Sequence, residues 1–337
     1  LERSDGMKPF LPQTMKQLVI TAPGEVDWAD APLPTPKPDE ALVRVTGVST
    51  CPHWDMHILG GQPMFPGQTL NYPYFPGQPG HEAVGIVMAV GEAVKELEVG
   101  QAVVAWRDTG EPRHGFYAQF NVFREVDLLA VPEDRSSAEL ASLELAMCVE
   151  VSFQRLAQWQ PVKGKRIAIA GLGPAGLLAV QLARYHGATE IVGIDAVAER
   201  CELALKLGAT EVGGSDAEAW PADRTNERAV DMAIDCTGIA PVVEFLLQRT
   251  KDAVALFGVL RADVHYSSGL MWGPGATLIG YGDHNRVAAE TALAAIEAGA
   301  LDLSALISTT LPMSDYVTGV ELLREKKAIK VLFDPWA

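Results

Sequence analysis

The sequence predicts a two-domain α/β protein, in which a β-rich, barrel-like domain accompanies a doubly wound parallel sheet. Three observations lead there. The chain has 337 residues, more than one ordinary hydrophobic core serves. Its first part, Met15 to about Glu150, is turn-rich, with short β-type runs between Pro and Gly clusters. From about Val151 strands and helices alternate in lengths that imply parallel pairing, and a Gly-rich turn stands near the start of that series.

Composition narrows the function. Hydrophobic residues make up 48% and charged residues 21%, as in a soluble globular protein. The formal net charge of −16 argues against nucleic acid and anionic membrane surfaces, which need clustered Lys and Arg. No apolar run is long enough to span a bilayer. Leu1–Phe10 lacks the charged-then-apolar pattern of an export signal, and Met7 and Met15 are candidate natural starts, so the cytoplasm is the expected compartment. The four cysteines, Cys51, Cys148, Cys201 and Cys236, are too few and scattered for a disulfide framework and read as reduced thiols.

In order along the chain, Gln17–Thr21, Ala41–Val48 and Val84–Val90 read as strands, and the four prolines of Ala31–Asp39 impose an extended connection. Val151–Gln158 reads as a helix, Arg166–Ala170 as a buried strand, Ala175–His186 as a helix, Glu190–Asp195 as a strand and Ala198–Leu207 as a helix. Asp231–Asp235, Ala253–Phe257 and Thr277–Ile279 are further strands, the first two separated by a helix at Pro241–Thr250. Val287–Ala298 and Met313–Lys326 read as helices before the apolar Ile329–Phe333, and this tail is expected to rejoin the first domain. The expected division is 1–150 with 288–337, and 151–287.

Gly171-Leu172-Gly173-Pro174-Ala175-Gly176 is a G-x-G-x-x-G turn that follows an apolar strand and opens a helix, as a dinucleotide fingerprint requires. Gly171 permits the tight turn, Gly173 lets the backbone approach a pyrophosphate, and Gly176 lets helix pack on strand. Pro174 suits the first helical turn, whose free N–H groups receive phosphate. Asp195 ends the next strand, 19 residues after Gly176, where a carboxylate accepts from both adenosine ribose hydroxyls and repels a 2′-phosphate. NAD is therefore expected over NADP, with Arg200 close enough in sequence to soften the preference. Thr237-Gly238 and Gly258-Val259 close later strands and are candidates for the nicotinamide half; ordinary turn glycines are the equal alternative.

Three features suggest a metal. Cys51-Pro52-His53-Trp54-Asp55-Met56-His57 gathers ligand-type residues, Gly80-His81-Glu82 follows a Pro/Gly-rich loop, and Cys148 stands near the entry to the second domain. A catalytic zinc takes three N, S or O ligands and keeps one position open, and Cys51, His81 and Cys148 would supply S, N and S. Asp55 and Glu82 suit supporting or labile roles. Spacing alone also allows a buried small apolar Cys148 and a turn-capping His81.

Gly80-His81-Glu82, Val84-Gly85-Ile86-Val87 and Val90-Gly91 together resemble the GHE-x-x-G-x-V-x-x-V-G signature of the zinc alcohol dehydrogenases, in the medium-chain dehydrogenase/reductase superfamily. Val99–Val103, Gly115–Phe120 and Ile329–Leu332 are similar to further motifs of that family, in the right order. The resemblance implies a GroES-like catalytic domain and a Rossmann domain. It implies hydride transfer between NAD and a zinc-bound secondary alcohol, polyol or ketone. Carried over by position, it makes Cys51, His81 and Cys148 the metal ligands and places Glu82 beside the metal. Glu144 is a rival third ligand, since polyol-type members use Glu near here, and Glu150 a weaker one. No Cys lies between Val104 and Gly115, where the family's structural zinc lobe belongs, so one zinc per chain is expected.

The Cys51–His57 segment is one residue longer than the family's C-x-[ST]-D-x-H. Trp54 stands where the family has a hydroxyl that relays the alcohol proton towards a His like His57, and an indole has no acceptor. His53 or water would have to substitute. Trp54, with Tyr72, Tyr74, Trp106 and Phe116, would line the substrate site and favour a bulky or ring-shaped substrate. Two other functions compete: a zinc-free quinone- or enoyl-type reductase, and a non-catalytic nucleotide-binding protein. The resemblance also implies a homodimer or homotetramer and a small-molecule alcohol or carbonyl partner.

Overall fold

The computed structural model describes residues 11–337 except 66, 109–111, 215–223, 225, 267 and 272–275, so Leu1–Phe10 lies outside the described residues. The chain forms two compact units, Leu1–Glu144 with Ile307–Ala337, and Leu145–Leu306.

In the first unit, β1 (Thr14–Ala22) and β2 (Glu25–Pro32) form an antiparallel hairpin. The proline run then leads into β3 (Glu40–Ser49), α1 (Pro52–Leu59), β4 (Glu82–Val90), β5 (Ala102–Ala105), β6 (Phe120–Arg124), β7 (Leu128–Ala130) and α2 (Ser137–Leu140). Val43, Val45, Val48, Val87, Val103 and Phe123 from these strands meet in one buried core. The β3–β4 ladder is antiparallel and pairs Ser49 with Glu82. That register sets the end of β3, just before Cys51, beside the start of β4, just after His81.

The second unit begins within α3 (Leu143–Trp159) and continues as β8 (Arg166–Ala170), α4 (Pro174–Tyr185), β9 (Glu190–Ile194), α5 (Ala198–Lys206), β10 (Glu211–Gly213), β11 (Val230–Asp235), α6 (Ala240–Arg249), β12 (Thr250–Leu256), β13 (Thr277–Ile279) and α7 (Arg286–Glu297). Its sheet has the order β10-β9-β8-β11-β12-β13 with every pair parallel. Ala168, Ala170, Val192, Ile194, Ala233 and Val254 are buried in it, the continuous apolar runs that a sheet covered on both faces demands. The winding reverses at β8, and ligands of such sheets bind at that switch point.

α3 starts earlier than the expected Val151, because Leu143-Glu144-Leu145-Ala146-Met147 are all good helix formers. The chain returns to the first unit at Ile307, later than position 288. The reason is packing: α7 buries Ala288, Ala289, Ala292, Ala295 and Ile296. Asp302 is also tied to α4, since its N–H donates to Gln181 Oε1 (2.7 Å) and its carbonyl accepts from Gln181 Nε2 (3.2 Å).

The tail supplies β14 (Ile307–Pro312), α8 (Tyr316–Arg324) and β15 (Lys330–Asp334), and the first unit's main sheet has the order β14-β15-β3-β4-β5-β7, with β6 also on β3. β15 pairs Leu332 with Ser49, and Thr50 N donates to Val331 O at 2.9 Å. The tail thus reaches the same ladder end as Cys51 and His81. No described helix is long and apolar enough to cross a membrane.

Candidate metal and dinucleotide sites

Cys51 occupies the N-cap of α1, and Pro52 opens that helix with a φ already suited to it. The donor atoms of Cys51, His81 and Glu82 all lie within 4.8 Å of one another. His81 Nδ1 is 2.8 Å from the carbonyl oxygen of Pro79. A carbonyl only accepts, so Nδ1 carries a proton, and the ring, whenever it is neutral, presents the Nε2 lone pair, the arrangement of metal-ligating histidines. Nε2 lies 3.8 Å from Glu144 Oε2. Burial opposes a charge on His81, yet Cys51, Glu144 and Glu82 outweigh it and push the ring well above its ordinary value. A field that favours a proton there favours a metal cation for the same reason.

Glu82 is fully buried, as is Lys330, whose Nζ donates to Glu82 Oε2 at 2.5 Å. The other oxygen, Oε1, is buried with no hydrogen-bond partner. Burial raises the Glu82 carboxyl and Lys330 opposes that rise. Sulfur, imidazole nitrogen and a carboxylate with an orphaned oxygen suit zinc.

Neither Cys148 nor Glu144 is in this group. Cys148 belongs to the second unit, and its sulfur faces His284 Nε2 at 3.5 Å. The α3 residue beside His81 is Glu144, one turn earlier. Glu150, the weaker rival, is buried and paired with His186 (2.7 Å).

Asp55 is fully buried. Its Oδ1 accepts from the hydroxyls of Tyr117 and Tyr316, each at 2.8 Å, so it ties α1 to the Gly115–Phe120 segment and to α8. It acts as a positioning residue beneath Cys51, and sequence reasoning missed both tyrosines. Burial raises its carboxyl from 3.8 to about 6, offset only in part by the two donors. A folded-state value above the unfolded one means that the native protein holds extra proton between them, so this group's contribution to stability falls as pH rises through that window. The stability of Asp55→Asn relative to its parent should therefore improve by about 1–2 kcal/mol between pH 5 and pH 8. Urea midpoints at the two pH values measure this, and a difference constant with pH refutes it.

His53 is exposed and His57 half-buried, with ring centroids 5.4 Å apart. Trp54 packs edge-on against His81 and Phe65. Trp106 and Phe116 are core residues: the Trp106 indole donates to Val126 O, and Phe116 stacks on Phe123.

In the second unit, Gly171 has φ +87°, and a Cβ at Gly176 would collide with the Gly171 carbonyl oxygen. Only glycine serves at both places. A Cβ at Gly173 would meet only Arg200 Nη1, at 4.0 Å, so the space before this turn is open, as a pyrophosphate cradle must be. Pro174 and Ala175 start α4 there. Asp195 Oδ2 accepts from Leu172 N (2.7 Å), Oδ1 from Val197 N (2.9 Å), and Arg200 Nη1 is 3.7 Å away. This carboxylate braces the turn, and each oxygen keeps a lone pair for a ribose hydroxyl. Asp235 accepts from Thr237 N, Thr237 Oγ1 and Gly238 N. Gly238 and Gly258 approach too closely for a side chain on either, and Val259 stands 38% exposed beside them. The residues fit a dinucleotide.

These two units have the build of a dinucleotide-linked oxidoreductase. The family profile for the alcohol dehydrogenase GroES-like domain matches residues 37–133, and that for zinc-binding dehydrogenases matches 174–296. Sorbitol dehydrogenase of Bacillus subtilis is 30% identical over 69% of this chain and 71% of its own length. An alcohol dehydrogenase of Cupriavidus necator is 28% identical over 95% of this chain and 99% of its own. The crystal structure of galactitol-1-phosphate dehydrogenase from Escherichia coli superposes with a TM-score of 0.82 at 25% identity, covering 95% of this chain and 100% of that one. The chain belongs to the medium-chain dehydrogenase/reductase superfamily, among the zinc-type alcohol dehydrogenase-like proteins, and is an oxidoreductase.

Proposed function

We propose that this protein is a zinc-dependent, NAD-linked dehydrogenase that moves hydride between nicotinamide and a secondary alcohol or ketone. The observation that carries the reading is the donor cluster at the β3–β4 ladder end: Cys51, His81 and Glu82 within 4.8 Å, with the Glu144 carboxylate 3.8 Å from His81. Cys51, His81 and Glu144 would hold the ion; Glu82, restrained by Lys330, stands beside it. Zinc there supplies a Lewis acid that polarises a substrate oxygen. The chain's own residues do the rest. Pro79 fixes the His81 tautomer, Asp55 holds α1 and with it Cys51, and the Gly171–Gly176 turn receives the pyrophosphate. His53 and His57 offer a route for the alcohol proton to solvent.

Asp195 supports NAD over NADP. Asp195→Ser should raise the Kd for NADH by about tenfold or more, the worth of hydrogen bonds to a charged acceptor, while NADPH binding, aided by Arg200, improves. Fluorescence titration of both cofactors tests this; a parent protein that binds NADPH more tightly contradicts it. We further propose a cytoplasmic homodimer or homotetramer, for which the short edge strand β13 offers a self-pairing edge.

The reading as a whole is tested by initial rates with secondary alcohols and ketones before and after zinc removal. Loss of turnover with NADH binding intact supports it. Full turnover without metal would make the protein a zinc-free reductase, and NADH binding with no turnover at all would make it non-catalytic.

A further inference from the structure

We propose that the substrate is an uncharged alcohol or ketone bearing a carbon ring next to its reacting carbon, in place of a polyol or a phosphorylated sugar alcohol. This rests on the dehydrogenase reading above. Trp54 lies in the first turn of α1, three residues after Cys51. Its indole stands edge-on to the His81 ring, with centroids 6.4 Å apart and planes at 80°. Phe65 stands edge-on to the same indole at 5.9 Å and 74°. An aromatic wall therefore begins at a metal-ligand candidate and runs outward.

Phe65 is 46% exposed, a large apolar side chain left at the surface. Met64, the residue before it, is buried, and its N–H donates to Gln68 Oε1 at 2.9 Å. Phe65 thus follows a residue that is itself held.

The wall's chemistry selects. A phenyl ring offers no hydrogen-bond partner and an indole offers one donor and no acceptor. Hydroxyls of a polyol pressed against it would lose water without replacement. A ring gains offset or edge-to-face contact with both aromatics. A phosphate dianion pressed against the same wall loses more water still, and the Lys330 ammonium is already paired with Glu82.

The test uses the full-length, zinc-loaded protein with NAD. Initial rates are compared for 1-phenylethanol and 1-cyclohexylethanol against sorbitol, 2,3-butanediol and sorbitol 6-phosphate. The ring alcohols should show kcat/KM at least about a hundredfold higher. Trp54→Leu, and separately the exposed Phe65→Leu, should cut that ratio at least tenfold, with KM for the ring alcohols rising more than kcat falls. Polyols matching or exceeding ring alcohols, or a ratio unchanged in both variants, overturns the proposal while NAD reduction leaves the dehydrogenase reading standing. No turnover of any of these compounds overturns that reading and the proposal with it.

Discussion

Glu144→Ala is expected to lose bound zinc and to lower kcat/KM for a secondary alcohol by about a thousandfold, whereas Cys148→Ala keeps its zinc and stays within tenfold of the parent. The size follows from what a metal contributes. Polarising a substrate oxygen stabilises the transition state by several kcal/mol, and each 1.36 kcal/mol is a factor of ten. The direction follows from geometry. Glu144 places a carboxylate oxygen 3.8 Å from His81 Nε2, while the Cys148 sulfur faces His284 in the other unit. Zinc content by elemental analysis, read beside kinetics, separates the two residues. A zinc-replete, active Glu144→Ala protein contradicts the assignment.

Lys330→Met should be the most destabilising substitution at the site, by about 3–5 kcal/mol at pH 8, because it leaves Glu82 as an uncompensated buried charge. Both partners are fully buried. Against a typical total stability of about 5–15 kcal/mol, such a loss lowers the thermal midpoint severely. Combining it with Glu82→Gln removes the stranded charge and should recover most of the loss. The deficit of the single variant should also shrink as pH falls, since an unpaired Glu82, already pushed up by burial, takes up a proton. Denaturant unfolding of both single variants and the double closes the cycle; a double variant no more stable than Lys330→Met refutes the pairing argument.

Much of this was legible in the residues, for a physical reason. The dinucleotide turn is local: strand, three glycines and helix are contiguous, and the collision that keeps Gly176 a glycine is with the Gly171 carbonyl oxygen, five residues before it. The pair Cys51 and His81 was legible only through the family resemblance; spacing left it open, because the register that sets the strand before Cys51 beside the strand after His81 is not encoded in either strand's local pattern. Which α3 residue lies beside His81 was not legible. Glu144 and Cys148 share a helix one turn apart, so sequence spacing does not say which one reaches His81. Lys330 carries a sequence signal of its own: an ammonium in the strand Lys330-Val331-Leu332-Phe333, otherwise apolar, requires a buried counter-charge. The helix α1 has only eight residues, too few for a clear apolar period, and Pro52 alone marks its start. Tyr117 and Tyr316 meet Asp55 only through the tail's return, which no local pattern encodes.

One sulfur, one imidazole and carboxylate oxygen are proposed to hold a single zinc. X-ray absorption at the zinc edge of the purified protein reads those donors out. About one zinc per chain is expected, with a single sulfur at about 2.3 Å and the remaining donors at about 2.0–2.2 Å. Two sulfurs per zinc, or a fully active protein with no zinc edge, would contradict it.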